Sequence, residues 1–302
     1  MNENPDKTSS KLIRLLKLLA KILVTVICLW YVSRKINFRE AFAVIQKANW
    51  LFIFLALLLF TLSKVLSSIR LNIYFRNIRI KLAEWTNMKL YWLGMFYNLF
   101  LPGSITGDAY KVIRLTKTFG VPYKKTSAAV LLDRFSGLAG LGLILAAYSI
   151  FVLPQKLYFA ALVTGAILAV VGLYFVIRFL FPDFLPGFTP TLLWGFAVQF
   201  TQVLSVYCII YALRIPANHT EYIFIFLVSS VVAVLPLTIG GLGARELVFL
   251  WGANYFGLHQ ESSVMISLLF YFITVFTSSW GLPFVYIDPL KQKVSPIPIH
   301  KS

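Results

Sequence analysis

The sequence predicts an all-α polytopic membrane protein, in which six full transmembrane helices surround two re-entrant broken-helix hairpins that form an inverted repeat. Three observations carry that expectation. The chain is 59% apolar with a mean hydropathy of +0.79, far from the composition of soluble domains. Several of its apolar runs reach the ~20 residues that a bilayer crossing needs. Finally, the element Leu101-Pro102-Gly-Ser-Ile105-Thr-Gly107-Asp108-Ala-Tyr-Lys111 returns about 134 residues later as Leu235-Pro236-Leu-Thr-Ile239-Gly-Gly241-Leu-Gly243-Ala-Arg245. Each copy breaks an apolar run with proline and glycine and restarts it with a basic residue.

Taken in order, the apolar runs place full crossings at residues 15–33, 50–75, 126–152, 157–180, 191–213 and 262–286. The segments 86–101 and 221–237 are too short or too interrupted to cross, and each leads directly into one copy of the repeated element. The first is expected to break at Pro102-Gly103 and return as an amphipathic helix over 107–119. The second is expected to break between Pro236 and Gly243 and return over 244–256. Three crossings separate the two breaks, an odd number, so the hairpins would enter from opposite faces. Inverted repeats of this kind bring half-helix ends together near the midplane of secondary transporters. A duplication kept only for packing is the plainer alternative, because glycine and proline are common in membrane helices.

Charge sets the orientation. With the N-terminus inside, eighteen Lys and Arg fall at inner segment ends, from Lys7 to Lys301, and six fall outside: Arg34, Lys35, Arg39, Lys47, Lys156 and Arg214. The positive-inside rule then puts both termini in the cytoplasm of a cell bounded by this inner or plasma membrane. Residues 1–14 read as a basic cytoplasmic N-terminus, 15–286 as one membrane domain and 287–302 as a cytoplasmic tail. The first apolar run is not followed by a small-residue cleavage site, so it is expected to remain as a span. The net charge of +17 belongs mainly to loops facing anionic lipid, and nucleic acid is not an expected partner. Cys28 and Cys208 stand alone in apolar runs and read as packing residues.

Ionisable groups at membrane depth are functional candidates, because each is costly unless paired or hydrated. They are Lys64, Arg70, Asp108, Lys111, Asp133, Arg134, Arg245 and Glu246. The cations outnumber the acids, which suits an anionic guest. Half-helix N-termini at Gly103, Gly107, Gly241 and Gly243 would add free N–H groups and positive dipole ends, a geometry suited to phosphate. Lys111 and Arg114 lie three apart on one helix, and Arg134 offers a planar bidentate donor; Asp108 and Asp133 would orient these cations. Asp133-Arg134 also fits a purely structural role, each pairing with a different helix, since neighbours diverge by about 100°. Arg245-Glu246 has the same two readings. For Arg70, snorkelling toward the inner interface is the preferred reading. Asn98 and Tyr110 flank the first break, where such residues usually satisfy broken backbone. No metal or cofactor is expected: His219, His259 and His300 fall at or beyond the membrane edges, and no glycine-rich nucleotide loop follows a strand. A transferase with Asp108 or Glu246 as base is the enzymatic alternative.

The run from Asn98 to Lys111, followed by Leu131-Leu132-Asp133-Arg134-Phe-Ser136-Gly137-Leu138 and then Leu235-Pro236-Leu-Thr-Ile-Gly240-Gly241-Leu242-Gly243-Ala-Arg245-Glu246, resembles the lysylphosphatidylglycerol synthase transmembrane family. The resemblance spans nearly the whole chain. It implies a flippase-like lipid-handling module, which in two-part members sits beside a soluble domain that aminoacylates phosphatidylglycerol and is implicated in moving the product between leaflets. The chain stops at Ser302, so a stand-alone module without that soluble domain is expected, with synthase activity not implied. The expected partners are therefore a membrane lipid with a phosphate-containing headgroup and, on the accessory-subunit alternative, a separate lipid-modifying synthase or glycosyltransferase.

Overall fold

Helix ends in this protein fall where the sequence removes backbone donors or supplies caps. The computed structural model describes residues 5–101, 105–234, 238 and 241–290, and those residues contain helices and no strand. The helices are α1 (Pro5–Lys35), α2 (Phe38–Gln46), α3 (Trp50–Asn77), α4 (Glu84–Phe100), α5 (Thr106–Phe119), α6 (Tyr123–Val152), α7 (Lys156–Leu180), α8 (Phe188–Ala212), α9 (His219–Val234), α10 (Ala244–Phe256), α11 (Gln260–Ser279) and the single turn α12 (Pro283–Tyr286). Asn37 and Asn49 cap α2 and α3 by accepting the N–H groups of Arg39 and Leu51 at 3.1 and 3.0 Å, so one orphan donor at each start gains a local acceptor. Gly120 and Gly257 end α5 and α10 with φ near +65°, the left-handed conformation glycine adopts without a Cβ penalty.

Among the described residues, five stretches are long and apolar enough to cross a membrane: Trp50–Asn77, Tyr123–Val152, Lys156–Leu180, Pro182–Ala212 and Gln260–Tyr286. They coincide with five of the expected crossings; the run 15–33 lies within α1, whose Leu19, Leu23, Ile27 and Trp30 are exposed. Both expected breaks separate helices at the anticipated places, α4 from α5 and α9 from α10. The helices on either side of each break pack on one another. Pro102, Gly103, Pro236 and Gly240 themselves lie outside the described residues.

The packing has a regularity that the repeated motif alone does not reveal. Exchanging α3 with α8, α4 with α9, α5 with α10 and α6 with α11 maps the contacts α3–α4, α4–α5, α5–α6, α3–α6 and α6–α8 onto α8–α9, α9–α10, α10–α11, α8–α11 and α11–α3. The contact α6–α9 likewise maps onto α11–α4, and α3–α8, the most extensive contact, maps onto itself. Corresponding helix pairs therefore touch within and between the four-helix units α3–α6 and α8–α11, with α7 between them in sequence.

Within this arrangement α6 is central and α7 peripheral: 56% of the apolar window of α6 is buried against 17% for α7. Small residues bring α6 and α8 into backbone contact. A Cβ on Gly140 would lie 2.6 Å from the carbonyl carbon of Gly195, and one on Gly195 would lie 2.6 Å from the Ser136 carbonyl oxygen. Close approach of this kind is how helices associate in lipid, where apolar burial between helices supplies little drive. Gly140→Ala should therefore lower stability by about 1–3 kcal/mol through overpacking, read as a reduced unfolding midpoint in detergent. Gly165→Ala on α7, where an added methyl meets open space, should leave that midpoint unchanged; equal effects of the two would remove the α6–α8 contact from the argument.

Candidate functional site

A cavity of about 480 Å³ lies at the junction of the two four-helix units, within the ~300–1,000 Å³ range of small-molecule sites. Lys64 and Arg70 reach it from α3, Asn98 from α4, Asp108 and Lys111 from α5, Asp133 and Arg134 from α6, Gln202 from α8, Arg245 from α10, and Phe270, Tyr271 and Thr274 from α11, with Gly241 at its edge. Nearly all of the ionisable residues singled out in the sequence thus meet in one place. The exceptions are instructive.

The carboxylates organise the first unit. Asp133, buried on α6, accepts from Arg70 Nε of α3 at 2.8 Å, and both side chains are almost fully enclosed. Arg134, one residue along and turned about 100° away, reaches Asp108 Oδ2 on α5 at 2.5 Å. The other oxygen of Asp108 holds Lys111 Nζ at 2.8 Å, and the Lys111 ammonium also stands 5.1 Å from the centre of the Tyr91 ring. Asp108 therefore bridges two cations. Arg70 does not snorkel: it is 5% exposed, and its guanidinium occupies the room left by Gly137, where a Cβ would lie 2.9 Å from Nη1.

The second unit is built differently. Arg245 occupies the place of Lys111 in the repeated element, but the residue matching Asp108 is Leu242. No carboxylate contacts Arg245 among the described residues. Its guanidinium lies over the faces of Phe226 and Phe270, 5.7 and 4.9 Å from the ring centres, and donates from Nη2 to Ser230 Oγ at 3.3 Å, while Nη1 is buried without a partner. Lys64 is in the same condition, its ammonium 4.4 Å from the centre of the Phe60 ring and, among the described residues, outside every ion pair. The lining of the cavity thus contains five cations, Lys64, Arg70, Lys111, Arg134 and Arg245, and two carboxylates, Asp108 and Asp133.

Three sequence expectations require correction. Arg114 does not line the cavity and pairs with Asp288 beyond α12: three residues past Lys111 it stands about 4.5 Å farther along α5, where the Asp288 carboxylate holds it. Glu246 is 1% exposed and does not face a guest: Oε2 accepts the Gly243 N–H at 2.6 Å and Oε1 accepts from Ser267 Oγ at 2.8 Å, the N3 half of a capping box. The half-helix N–H groups also have partners. The N–H of Gly107 donates to Asn98 Oδ1 at 2.8 Å and that of Gly243 to Glu246, so side-chain cations and not these N–H groups face the cavity. Gly107 instead serves close approach, since its Cβ would collide with the Gly94 carbonyl of α4. Gly243, with φ of +85°, stands against Thr25 and Cys28 of α1. Gly103 lies outside the described residues. Asp108 and Glu246, the two bases open to a transferase, are thus both engaged in internal contacts.

The model of the lysylphosphatidylglycerol synthase transmembrane region matches residues 18–281. This chain belongs to that family. Comparison with curated proteins finds no match. Membership in this lysylphosphatidylglycerol synthase transmembrane family, together with five apolar helices of crossing length, makes the chain an integral multi-pass membrane protein of lipid-related character.

The Arg70–Asp133 pair gives a direct test of the site's construction. Breaking a buried pair from one side leaves an uncompensated charge and costs about 3–5 kcal/mol, whereas replacing both partners by apolar residues is often nearly neutral. Asp133→Ala should lower the unfolding midpoint in detergent sharply, and Arg70→Met combined with Asp133→Leu should recover most of the loss. Additive losses in the double variant would contradict the pairing.

Proposed function

We propose that this protein translocates a phosphate-bearing anionic or zwitterionic lipid between leaflets, with the headgroup in the cavity and the acyl chains outside it in the bilayer. The observation that carries the reading is the meeting of five cations and two carboxylates in one cavity between two units of like packing. Asp108, Lys111, Asp133, Arg134 and Arg245 line the proposed headgroup site, and Lys64 and Arg70 join them. An anion is the guest that relieves such an excess, because charge of one sign at membrane depth is otherwise expensive.

In this reading α1 is a sixth crossing, the hairpins α4–α5 and α9–α10 are re-entrant, and α7 is the extra crossing that inverts the second unit relative to the first. Residues 15–286 form the membrane domain, with residues 1–14 and 287–302 in the cytoplasm. Two units of opposite sense around one site are the arrangement in which rocking of one against the other gives alternating access. The orientation rests on the excess of Lys and Arg at the inner ends, and the membrane is the inner or plasma membrane.

The experiment is leaflet exchange in liposomes that contain the purified protein, fluorescent lipids of different headgroups and an impermeant quencher. Headgroup-selective exchange is expected in the wild type, with at least a tenfold loss in Arg245→Ala at unchanged insertion. Folded protein that exchanges no lipid would abandon translocation in favour of a subunit that presents lipid to a separate modifying enzyme.

A further inference from the structure

The cations of the cavity fall into three groups according to what neutralises them. Arg70 and Asp133 cancel one another. Lys111, Asp108 and Arg134 form a triad with one formal positive charge in excess, and Arg134, with its side chain 37% exposed, is the most open of the three. Lys64 and Arg245 line the same cavity and form no ion pair with a carboxylate among the described residues; Glu246, next to Arg245 in sequence, acts on it through space, but its two oxygens are taken by the Gly243 N–H and Ser267 Oγ. What stands beside the two cations is aromatic. Phe60 meets Phe270 edge-on at 5.2 Å and Phe270 meets Phe226 at 4.8 Å; Lys64 lies over Phe60 at one end of this row, and Arg245 over Phe270 and Phe226, 4.9 and 5.7 Å from the ring centres. Ring faces attract a cation, but they carry no charge to cancel it.

From this inventory we infer that the seat of the anion is the Lys64–Arg245 end of the cavity, and that its guest bears two negative charges on neighbouring phosphate oxygens: a phosphomonoester or a diphosphate. The inference rests on the translocation reading only for the guest's being a lipid. A single phosphodiester would leave one of the two cations uncompensated. A cationic headgroup, such as a glycerol phosphodiester whose glycerol hydroxyl carries a lysyl ester with two ammonium groups, would add like charge to a cavity lining already in excess by three. Arg245 contributes a planar fork with one buried, unpartnered nitrogen, suited to bidentate contact with phosphate, and Lys64 contributes a compact charge. Asp108 explains why the seat is on this side: in the first unit it already occupies the place beside Lys111 that a guest oxygen would take beside Arg245, where the sequence has Leu242.

Equilibrium binding in neutral detergent tests the inference independently of transport. The probes are dioleoyl phosphatidic acid, dioleoyl phosphatidylglycerol, lysyl-phosphatidylglycerol and inorganic pyrophosphate, at about pH 7, where a phosphomonoester carries roughly −1.5 to −2 charges. Phosphatidic acid should bind at least tenfold more tightly than phosphatidylglycerol, with the lysyl lipid weakest. Lys64→Met should bring the first two affinities together, and Arg245→Gln should weaken both at least tenfold. Lys64→Met should also raise the unfolding midpoint of the lipid-free protein, which a cation with a merely structural role would not do. Equal affinity for phosphatidic acid and phosphatidylglycerol in the wild type, or a preference untouched by Lys64→Met, would overturn the inference while leaving selective exchange intact. Pyrophosphate binding without any lipid binding would uphold the two-charge seat and sink the lipid reading; folded protein that binds none of the probes would overturn both.

Discussion

Asp133 and Arg134 are adjacent on α6, and because consecutive helical side chains diverge by about 100°, they cannot serve the same neighbour. One faces α3 and finds Arg70; the other faces α5 and finds Asp108. A single step along the central helix therefore fastens a long crossing helix and a broken-helix hairpin to the same column, with the cavity left between them. In a medium where unpaired charge is costly, these two contacts fix the azimuth of α6, and through it the register of the helices around it. The glycines of the α6–α8 seam then permit the backbone approach that this register requires.

The two units share their packing but not their charge balance. Lys111 and Arg245 are equivalent by motif and both reach the cavity, yet only Lys111 forms an ion pair with a carboxylate of its own helix. The same motif stands at the start of α5 and of α10, and one position in it, Asp108 against Leu242, makes the two helix starts electrostatically unequal. Glu246, next to Arg245 in sequence, acts on it only through space, because its carboxylate is turned back to cap its own helix and to hold Ser267. The asymmetry is consequently a property of the helix start and not of the cavity lining alone.

Much of this was legible before the structure. Proline without an N–H and glycine without a Cβ interrupt apolar helices wherever they cluster, which is why the ends of α4, α5, α9 and α10 fall within a few residues of their expected places. Convergence of Asp108, Lys111, Asp133, Arg134 and Arg245 followed from the cost of charge at depth. Direction was the harder part. A basic residue in an apolar run can reach for the interface or turn inward, and the partner that decides the matter for Arg70 is 63 positions away. A signal existed in α3, where Ser63, Ser67, Arg70 and Tyr74 recur at helical spacing on one buried stripe. Arg114 and Glu246 were misplaced because adjacency in a motif does not specify which face of a helix a residue occupies.

The meeting of Gly94 and Gly107 has a mechanical corollary. At that point α4 and α5 touch through their backbones, with no side chain between them to act as a bearing, and Asn98 of α4 is strapped to the first turn of α5. The two arms of the hairpin are therefore stiffly coupled at the end nearest the cavity, like the closed end of a clamp. Asp108 and Lys111 are carried on that clamp together, whereas Arg134 is carried on α6. Any displacement of α5 against α6 would therefore have to strain the Arg134–Asp108 contact and would leave the Asp108–Lys111 contact, which lies within one helix, unchanged.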